Sequence, residues 1–134
     1  MTDNLESRVI TKTAILVVDD DEHVRKSSKR IIESMPENYD IHFAENGKEA
    51  VEMLKKHNYP LVISDLTMPE MDGLKLYRWI KENIYPRPKF MLVSGSLDEE
   101  ITQYLDNEGV LYLPKPFKAN DYVSFIEKSF ESSK

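Results

Sequence analysis

The sequence predicts an α/β fold in which a parallel β-sheet is covered by helices on both faces. Five short apolar runs alternate along the chain with five segments of helical periodicity, which is the pattern of repeated strand–helix units. Three of the runs are almost continuously apolar, as expected for strands that are covered on both faces. Right-handed crossovers between parallel strands then leave few topologies to consider.

The predicted strands are four to six residues long. They are AILVVD (14–19), DIHFA (40–44), LVISD (61–65), KFMLVS (89–94) and VLYL (110–113). The predicted helices between and after them are marked by residues with helical spacing, which places them on one face of each helix. In chain order these residues are Val24, Ser28, Ile31, Ile32 and Met35; Ala50, Val51 and Leu54; Leu74, Tyr77, Ile80 and Ile84; Leu97, Ile101, Tyr104 and Leu105; and Tyr122, Val123, Ile126 and Phe130.

Helix-start and helix-stop signals agree with this division. Asn46 and Ser96 each precede a glutamate by three residues, which is the capping-box arrangement at a helix N-terminus. Gly109 follows the fourth periodic segment and predicts its end. Asp21 is predicted to be an acidic residue at the start of the first helix.

Length and composition restrict the class of protein. The 134 residues make one domain, the net charge is −6, and there is no cysteine to form a disulfide or a thiolate metal site. An acidic chain is poorly suited to binding nucleic acid directly. No apolar run is long enough to span a membrane, and the absence of a signal pattern at the N-terminus predicts a cytoplasmic location. The polar, aperiodic residues 1–12 are expected to be a flexible leader.

Charged and hydroxyl side chains lie where four of the five strands end. Asp19 and Asp20 end the first strand or follow it, Asp65 ends the third, Ser94 ends the fourth, and Lys115 comes shortly after the fifth. The carboxyl ends of parallel strands share one edge, which is where such sheets bind ligands. The sequence therefore predicts three carboxylates, a hydroxyl and an ammonium group in one crevice.

Three carboxylates at one edge require a compensating charge. Two unit charges about 5 Å apart repel by roughly 3 kcal/mol at an effective dielectric constant near 20. A raised pKa, the lysine or a bound cation would offset this repulsion. An all-oxygen site is suited to Mg²⁺, and no histidine pair or cysteine suggests zinc.

A carboxylate beside Mg²⁺ and a lysine is suited to phosphoryl transfer. Asp65 would attack phosphorus and form an acyl phosphate, while the metal and Lys115 neutralise charge on the transferred oxygens. The alternative is that Asp65 only caps a turn and that the acidic residues 19–21 only favour a helix start.

Four motifs resemble the receiver domain of two-component response regulators. They are ILVVDDD (15–21), VISDLTMPEMDG (62–73), LVSG (92–95) and LPKPF (113–117), in this order and at nearly the usual separations. The resemblance covers residues 13 to about 130. It implies a flavodoxin-like, doubly wound (βα)5 sandwich with the strand order 2-1-3-4-5, a receiver domain over residues 13–131 and a short tail at 132–134.

The resemblance also implies roles for the residues around the metal. Asp65 is similar to the phosphoacceptor, Asp20 to the direct metal ligand and Asp19 to the carboxylate that acts on the metal through water. Thr67 stands where the family offers a backbone carbonyl to the ion, which is Mg²⁺.

Further positions are similar to the residues that sense and transmit phosphorylation. Ser94 resembles the switch hydroxyl, Lys115 the lysine that pairs with the phosphoryl group, and Tyr112 the aromatic switch residue. The Lys115–Pro116 bond is cis in the family, an arrangement that is essentially confined to X–Pro bonds. The segment before Lys115 is about one residue shorter than in many relatives, and Pro114 is expected to stiffen it.

The function implied is that of a signalling switch whose only chemistry is its own phosphorylation and dephosphorylation. The phosphoryl donor would be a sensor histidine kinase or a histidine phosphotransfer protein. The receiver of the signal would be a downstream effector or an output domain, reached through the surface of the fourth helix, fifth strand and fifth helix. No output domain follows residue 134, so a stand-alone regulator and a receiver cut from a longer chain are both expected forms.

Two other functions compete with this interpretation. A haloacid-dehalogenase-like phosphatase also pairs a strand-end aspartate with a Ser/Thr strand and a lysine, and Asp19 and Asp21 give its D-x-D spacing. That family needs an acidic pair after the lysine, however, and only Asp121 follows Lys115 within ten residues. The second alternative is a binding module that keeps the fold but is never phosphorylated.

Overall fold

A computed structural model describes residues 12–131, which form five strands and five helices in strict alternation. The strands are β1 (Thr13–Val18), β2 (Tyr39–Ala44), β3 (Leu61–Asp65), β4 (Lys89–Ser94) and β5 (Leu111–Pro114). The helices are α1 (Glu22–Glu33), α2 (Gly47–Lys56), α3 (Gly73–Asn83), α4 (Glu99–Glu108) and α5 (Ala119–Glu131). The predicted leader, apart from Lys12, and the predicted tail lie outside the described residues.

The five strands form one parallel sheet in the order β2-β1-β3-β4-β5. This confirms the predicted fold class and strand order. Strands β1, β3 and β4 are the central ones, and nearly all of their residues are buried. The edge strand β2 is mostly half-buried. The predicted ends of β1, β2 and β5 differ from the observed ones by one residue, because ladder pairing sets the ends of a strand while the sequence shows only its apolar centre.

Alternating side chains of the sheet divide the core into two layers. Leu16, Val62 and Leu92 point to the layer that is covered by α2, α3 and α4. Ile15, Ile63 and their neighbours point to the layer that is covered by α1 and α5. Side chains on a strand repeat every two residues and those on a helix every 3.6 residues. Each repeat therefore directs the apolar side chains of its element into one of the two core layers.

The helix caps show which local predictions were right. Asn46 caps α2 by accepting a hydrogen bond from the Glu49 backbone N–H, as predicted, although the Glu49 carboxylate bonds the N–H of Glu45 and not that of Asn46. The prediction that Ser96 begins the fourth helix was wrong. The Asp98 side chain caps α4 by accepting from Ile101. An aspartate two residues later offers the same kind of acceptor, and the chain turns into the helix only there.

The end of α4 follows the prediction. Gly109 has φ 73°, in the left-handed region, and its backbone N–H donates to carbonyl groups in the last turn of α4. Glycine adopts this conformation without steric cost, so it stops the helix and directs the chain into β5. Within residues 12–131, no helix combines the length and the apolar character needed to cross a membrane.

Candidate functional site at the carboxyl edge of the sheet

Three aspartates meet where β1 and β3 end. Asp19 and Asp20 directly follow β1, and Asp65 is the last residue of β3. Each offers a carboxylate oxygen, and these oxygens lie within 4.8 Å of one another. Asp19 and Asp65 are buried, with 3% and 8% of their surface exposed, while Asp20 is exposed. The sheet therefore brings together the carboxylates that the sequence placed at its edge.

Lys115 joins two of these carboxylates. Its Nζ lies 3.0 Å from Asp19 Oδ2 and 3.4 Å from Asp65 Oδ1. The Lys115 backbone is held to the neighbouring strand, because its N–H donates to the Ser94 carbonyl at 2.8 Å. The Lys115–Pro116 peptide bond is cis, at the position where the resemblance implied one. A second cis bond, Tyr85–Pro86, was not anticipated.

The start of α1 fixes Asp19 from the other side. Asp19 Oδ1 accepts a hydrogen bond from the Asp21 backbone N–H at 2.9 Å. The Arg25 guanidinium donates to the Asp19 carbonyl at 2.7 Å. Asp21 itself caps α1 by accepting from His23, so its role is that of a helix-start residue, as predicted. Nothing in the sequence pattern pointed to Arg25, because an arginine on the first turns of a helix is usually solvated.

Burial and neighbouring charges shift the pKa values of Asp65 and Lys115. The pKa of Asp65 is raised above its ordinary value, first by burial and then by the negative charge of Asp19, while Lys115 opposes the rise. Burial acts to lower the pKa of Lys115, but hydrogen bonding and charge from Asp19, followed by Asp65, outweigh burial and raise it. At Asp65, the Lys115 ammonium group therefore offsets only part of the combined effect of burial and the Asp19 charge.

The donor set fits a hard divalent cation. Three carboxylates against one ammonium leave an excess of two negative charges at the cluster. All three potential ligands are oxygens, and Asp20 is open to solvent, so a bound ion would keep some of its water. These are the preferences of Mg²⁺. Thr67, the fourth predicted contributor, lies exposed in the loop after β3.

Gly73, the first residue of α3, is packed directly beneath Asp65. A Cβ at this position would lie 2.3 Å from the Asp65 carbonyl oxygen and 3.0 Å from Leu66 Cα. The Gly73 N–H donates to the Leu66 carbonyl at 2.8 Å, so the loop after β3 folds back onto its own strand. Sequence reasoning included Gly73 in a motif without giving it a role, since the contact is visible only in three dimensions.

The two predicted switch residues lie on neighbouring strands. Ser94 is buried, and its Oγ accepts a hydrogen bond from the Ser96 backbone N–H at 3.0 Å. Tyr112 is half-buried on β5, opposite Leu92, and packs on the α4 side of the sheet. The pKa of Tyr112 is raised, chiefly because Asp106 on α4 accepts a hydrogen bond from its hydroxyl. In this structure Ser94 is therefore bonded to Ser96, and Tyr112 lies under the influence of Asp106 on α4.

The three histidines lie away from the carboxylate cluster. His23 is exposed on α1, while His42 and His57 pack with Tyr59 on the opposite layer from α1. His42 Nδ1 lies 2.6 Å from the Tyr59 hydroxyl.

Comparison with known proteins agrees with this geometry. Residues 15–127 match the family model described as the response regulator receiver domain. The chain belongs to the response regulator receiver family. This match runs from the third residue of β1 through most of α5, and it includes every cluster residue described above.

Similar proteins give the same assignment for this receiver domain. The transcriptional regulatory protein SrrA of Staphylococcus aureus (strain NCTC 8325 / PS 47) is 32% identical over 109 residues, which are 81% of this chain and 44% of SrrA. The chain thus spans less than half the length of this relative. The signal receiver domain of an HD domain-containing protein from Pseudomonas fluorescens Pf-5 has a TM-score of 0.80 and 28% identity, covering 91% of this chain and 97% of that one. A CheY-like receiver domain from Methanospirillum hungatei JF-1 also has a TM-score of 0.80, with 25% identity over 91% of this chain and 96% of that chain.

Proposed function

We propose that this receiver domain accepts a phosphoryl group on Asp65 from a phosphohistidine and relays that event to a partner. The donor is a sensor histidine kinase or a histidine phosphotransfer protein, and the partner is a downstream effector or an output domain. One observation carries the proposal: a buried carboxylate at a strand end, with Lys115 3.4 Å away and two further carboxylates beside it. A turn cap would need neither the lysine nor the other acids.

The chemistry follows from this arrangement. An Asp65 carboxylate oxygen attacks phosphorus, a P–O bond forms, the P–N bond to the donor imidazole breaks, and its electron pair returns to the imidazole nitrogen. Lys115 is placed to donate to a phosphoryl oxygen once that group is attached. Asp20, Asp65 and the Thr67 carbonyl would hold Mg²⁺, with Asp19 acting through water, and the ion would supply charge neutralisation at the transferred oxygens. Water later attacks the acyl phosphate, the bond between the phosphoryl group and Asp65 breaks, inorganic phosphate leaves, and the carboxylate is restored.

Stoichiometry separates this function from that of a phosphatase. With a small phosphodonor such as acetyl phosphate and Mg²⁺, we expect incorporation that reaches at most one phosphoryl group per chain and then decays slowly. A haloacid-dehalogenase-like phosphatase would instead turn over an external ester such as p-nitrophenyl phosphate many times without a lasting adduct. Repeated turnover of that ester would contradict the proposal.

Mg²⁺ is expected to stabilise the fold, because it relieves carboxylate repulsion only in the folded state. At ten times its dissociation constant, the ion should add about 1.4 kcal/mol to the free energy of unfolding, which is roughly 4 °C in melting temperature. Thermal melts with and without Mg²⁺ measure this effect. Asp20→Asn should abolish most of the shift, and an unchanged shift in that variant would contradict the ligand assignment.

Transmission of the signal requires the two switch residues to change partners. For Ser94 to bond the phosphoryl group, its hydroxyl must turn from Ser96 toward Asp65. The space that it leaves lies next to β5, where Tyr112 must move away from Asp106 to turn inward. The surface formed by α4, β5 and α5 then changes shape, as in a two-state element.

Ser94→Ala should separate phosphorylation from transmission. The variant keeps Asp65, Lys115 and all three carboxylates, so it should bind Mg²⁺ and beryllofluoride, a phosphoryl mimic. Backbone and side-chain NMR should then show little change at Tyr112 and on α4, whereas the wild type shows a large change at both. Equal perturbation of α4 in the two proteins would show that Ser94 is not the relay.

A further inference from the structure

Two buried hydroxyl groups lie behind the carboxylate cluster, on the side of the sheet that is covered by α1 and α5. Ser28 on α1 and Tyr122 on α5 are each 1% exposed, and within residues 12–131 neither Ser28 Oγ nor Tyr122 Oη has a partner in hydrogen-bonding geometry. A buried polar group without a partner costs free energy, so each such group requires an explanation.

Both hydroxyls line one small cavity that reaches the site. Its other polar walls are Asp19, Ser64 and Asp65, and apolar side chains of the sheet, α1 and Phe117 close it. The space open to the centre of a water molecule is about 10 Å³, roughly what one water requires. The Asp19 carboxylate is close enough to the Tyr122 hydroxyl to affect its pKa. Burial raises the pKa of Tyr122 strongly, hydrogen-bonding influence from the nearby Ser28 hydroxyl opposes the rise, and the Asp19 carboxylate adds to it. The two hydroxyls are thus near neighbours, but they do not meet the geometry of a direct hydrogen bond.

We propose that this cavity binds a single water molecule that links the Tyr122 and Ser28 hydroxyls to the Asp19 carboxylate. The water would have three polar partners, which is the usual number for a buried water. Tyr122 and Ser28 are then positioning residues for Asp19. They act on the metal site through that carboxylate and never touch the metal or the phosphoryl group.

The bound water contributes most to positioning Asp19 after phosphorylation, and in that respect the inference rests on the proposed function. Lys115 Nζ now lies closer to Asp19 than to Asp65, at 3.0 Å against 3.4 Å. A phosphoryl group on Asp65 draws the lysine toward its own oxygens and leaves Asp19 Oδ2 without its cation. The bound water supplies a donor that remains in place, so Asp19 keeps its orientation toward the metal while Lys115 moves.

The decisive variants each remove one hydroxyl. In Tyr122→Phe, we expect Mg²⁺ affinity to fall about fivefold, the loss of one ordinary hydrogen bond, and the loss to be larger when beryllofluoride is bound. Ser28→Ala should show the same change. In the double variant, Mg²⁺ affinity should also fall about fivefold and not about twenty-five-fold, because both hydroxyls bind the same water. Affinity is read from amide NMR shifts of residues 19–21 during Mg²⁺ titration.

Matched controls lie away from the cavity. Tyr59→Phe removes a buried hydroxyl that bonds His42 on the other layer, and Ser129→Ala removes a buried hydroxyl that bonds the Phe125 carbonyl on α5. Both should leave Mg²⁺ affinity unchanged. Melting temperature gives an independent readout, because loss of a hydrogen-bonded hydroxyl lowers it, whereas loss of an unbonded buried hydroxyl raises it.

A high-resolution crystal structure of the Mg²⁺-bound protein should show one water within hydrogen-bond distance of Tyr122, Ser28 and Asp19. Direct bonding of the two hydroxyls to each other, or unchanged Mg²⁺ affinity with a higher melting temperature in Tyr122→Phe, would overturn the inference. A wild type that binds neither Mg²⁺ nor beryllofluoride would overturn the proposed function instead, and the water density and melting temperatures would still decide the hydration site.

Discussion

Replacing Asp65 by asparagine is expected to abolish phosphoryl incorporation and, at the same time, to raise the melting temperature by a few degrees. The amide cannot act as the nucleophile, so no acyl phosphate forms. The fold gains stability because Asp65 is buried beside Asp19, and its charged form is disfavoured there. Incorporation from acetyl phosphate and thermal melts at neutral pH measure the two effects. If a partner protein were found to bind Asp65→Asn and wild type equally under phosphorylating conditions, the binding-module alternative would be favoured.

The stability difference should depend on pH in a defined direction. A group whose pKa is raised in the folded state stabilises that state when protonated, below its unfolded value near 3.8, and this contribution is lost as pH rises through the raised pKa. The stability of Asp65→Asn should therefore exceed that of the wild type most at neutral pH, and the difference in stability should shrink as pH falls toward 4. Asp121→Asn, at the exposed start of α5, is the control. It should lower stability slightly and leave incorporation unchanged.

Gly73→Ala is expected to destabilise the domain by about 3 kcal/mol and to disable the site. The new Cβ would lie 2.3 Å from the Asp65 carbonyl oxygen. This oxygen belongs to the backbone of a central strand, so a change of side-chain rotamer cannot relieve the clash. Either α3 or the end of β3 must move, and the second movement displaces the phosphoacceptor. Urea denaturation and phosphoryl incorporation, measured on the same samples, report both consequences.

Gly95→Ala is the matched control for this change. Gly95 follows Ser94 at the same edge of the sheet, but among the described residues a Cβ there would meet nothing closer than Lys115 Cβ at 4.0 Å. It should therefore leave stability and phosphorylation close to wild type. If Gly73→Ala were as well tolerated as Gly95→Ala, the close packing of α3 beneath Asp65 would not be a determinant of the site.

Much of the fold followed from local pattern. The alternation of strands and helices, together with the rule that parallel strands share a carboxyl edge, brought Asp19, Asp20, Asp65 and Lys115 into one prediction. The structure places these residues in one cluster. The strand order came from the resemblance, because periodicity alone leaves several orders open.

Other features depended on contacts that no local pattern records. Ser96 and Asp98 both offer a capping oxygen, and only the path of the chain after β4 selects Asp98. Periodicity placed Ser28 and Tyr122 on buried faces, but it could not show that their hydroxyls line the same cavity as Asp19. Arg25 and Gly73 act on the site through the Asp19 and Asp65 carbonyl groups, which carry no sequence signature.

The most direct test of the central claim is to locate the phosphoryl group on the chain. The wild type would be incubated with Mg²⁺ and a phosphohistidine donor, the acyl phosphate would be trapped by borohydride reduction, and the modified residue would be mapped by peptide mass spectrometry. We expect modification at Asp65 alone, dependent on Mg²⁺ and absent from Asp65→Asn. Modification at Asp19, Asp20 or another residue, or no modification by any phosphohistidine or acetyl phosphate donor, would contradict the account.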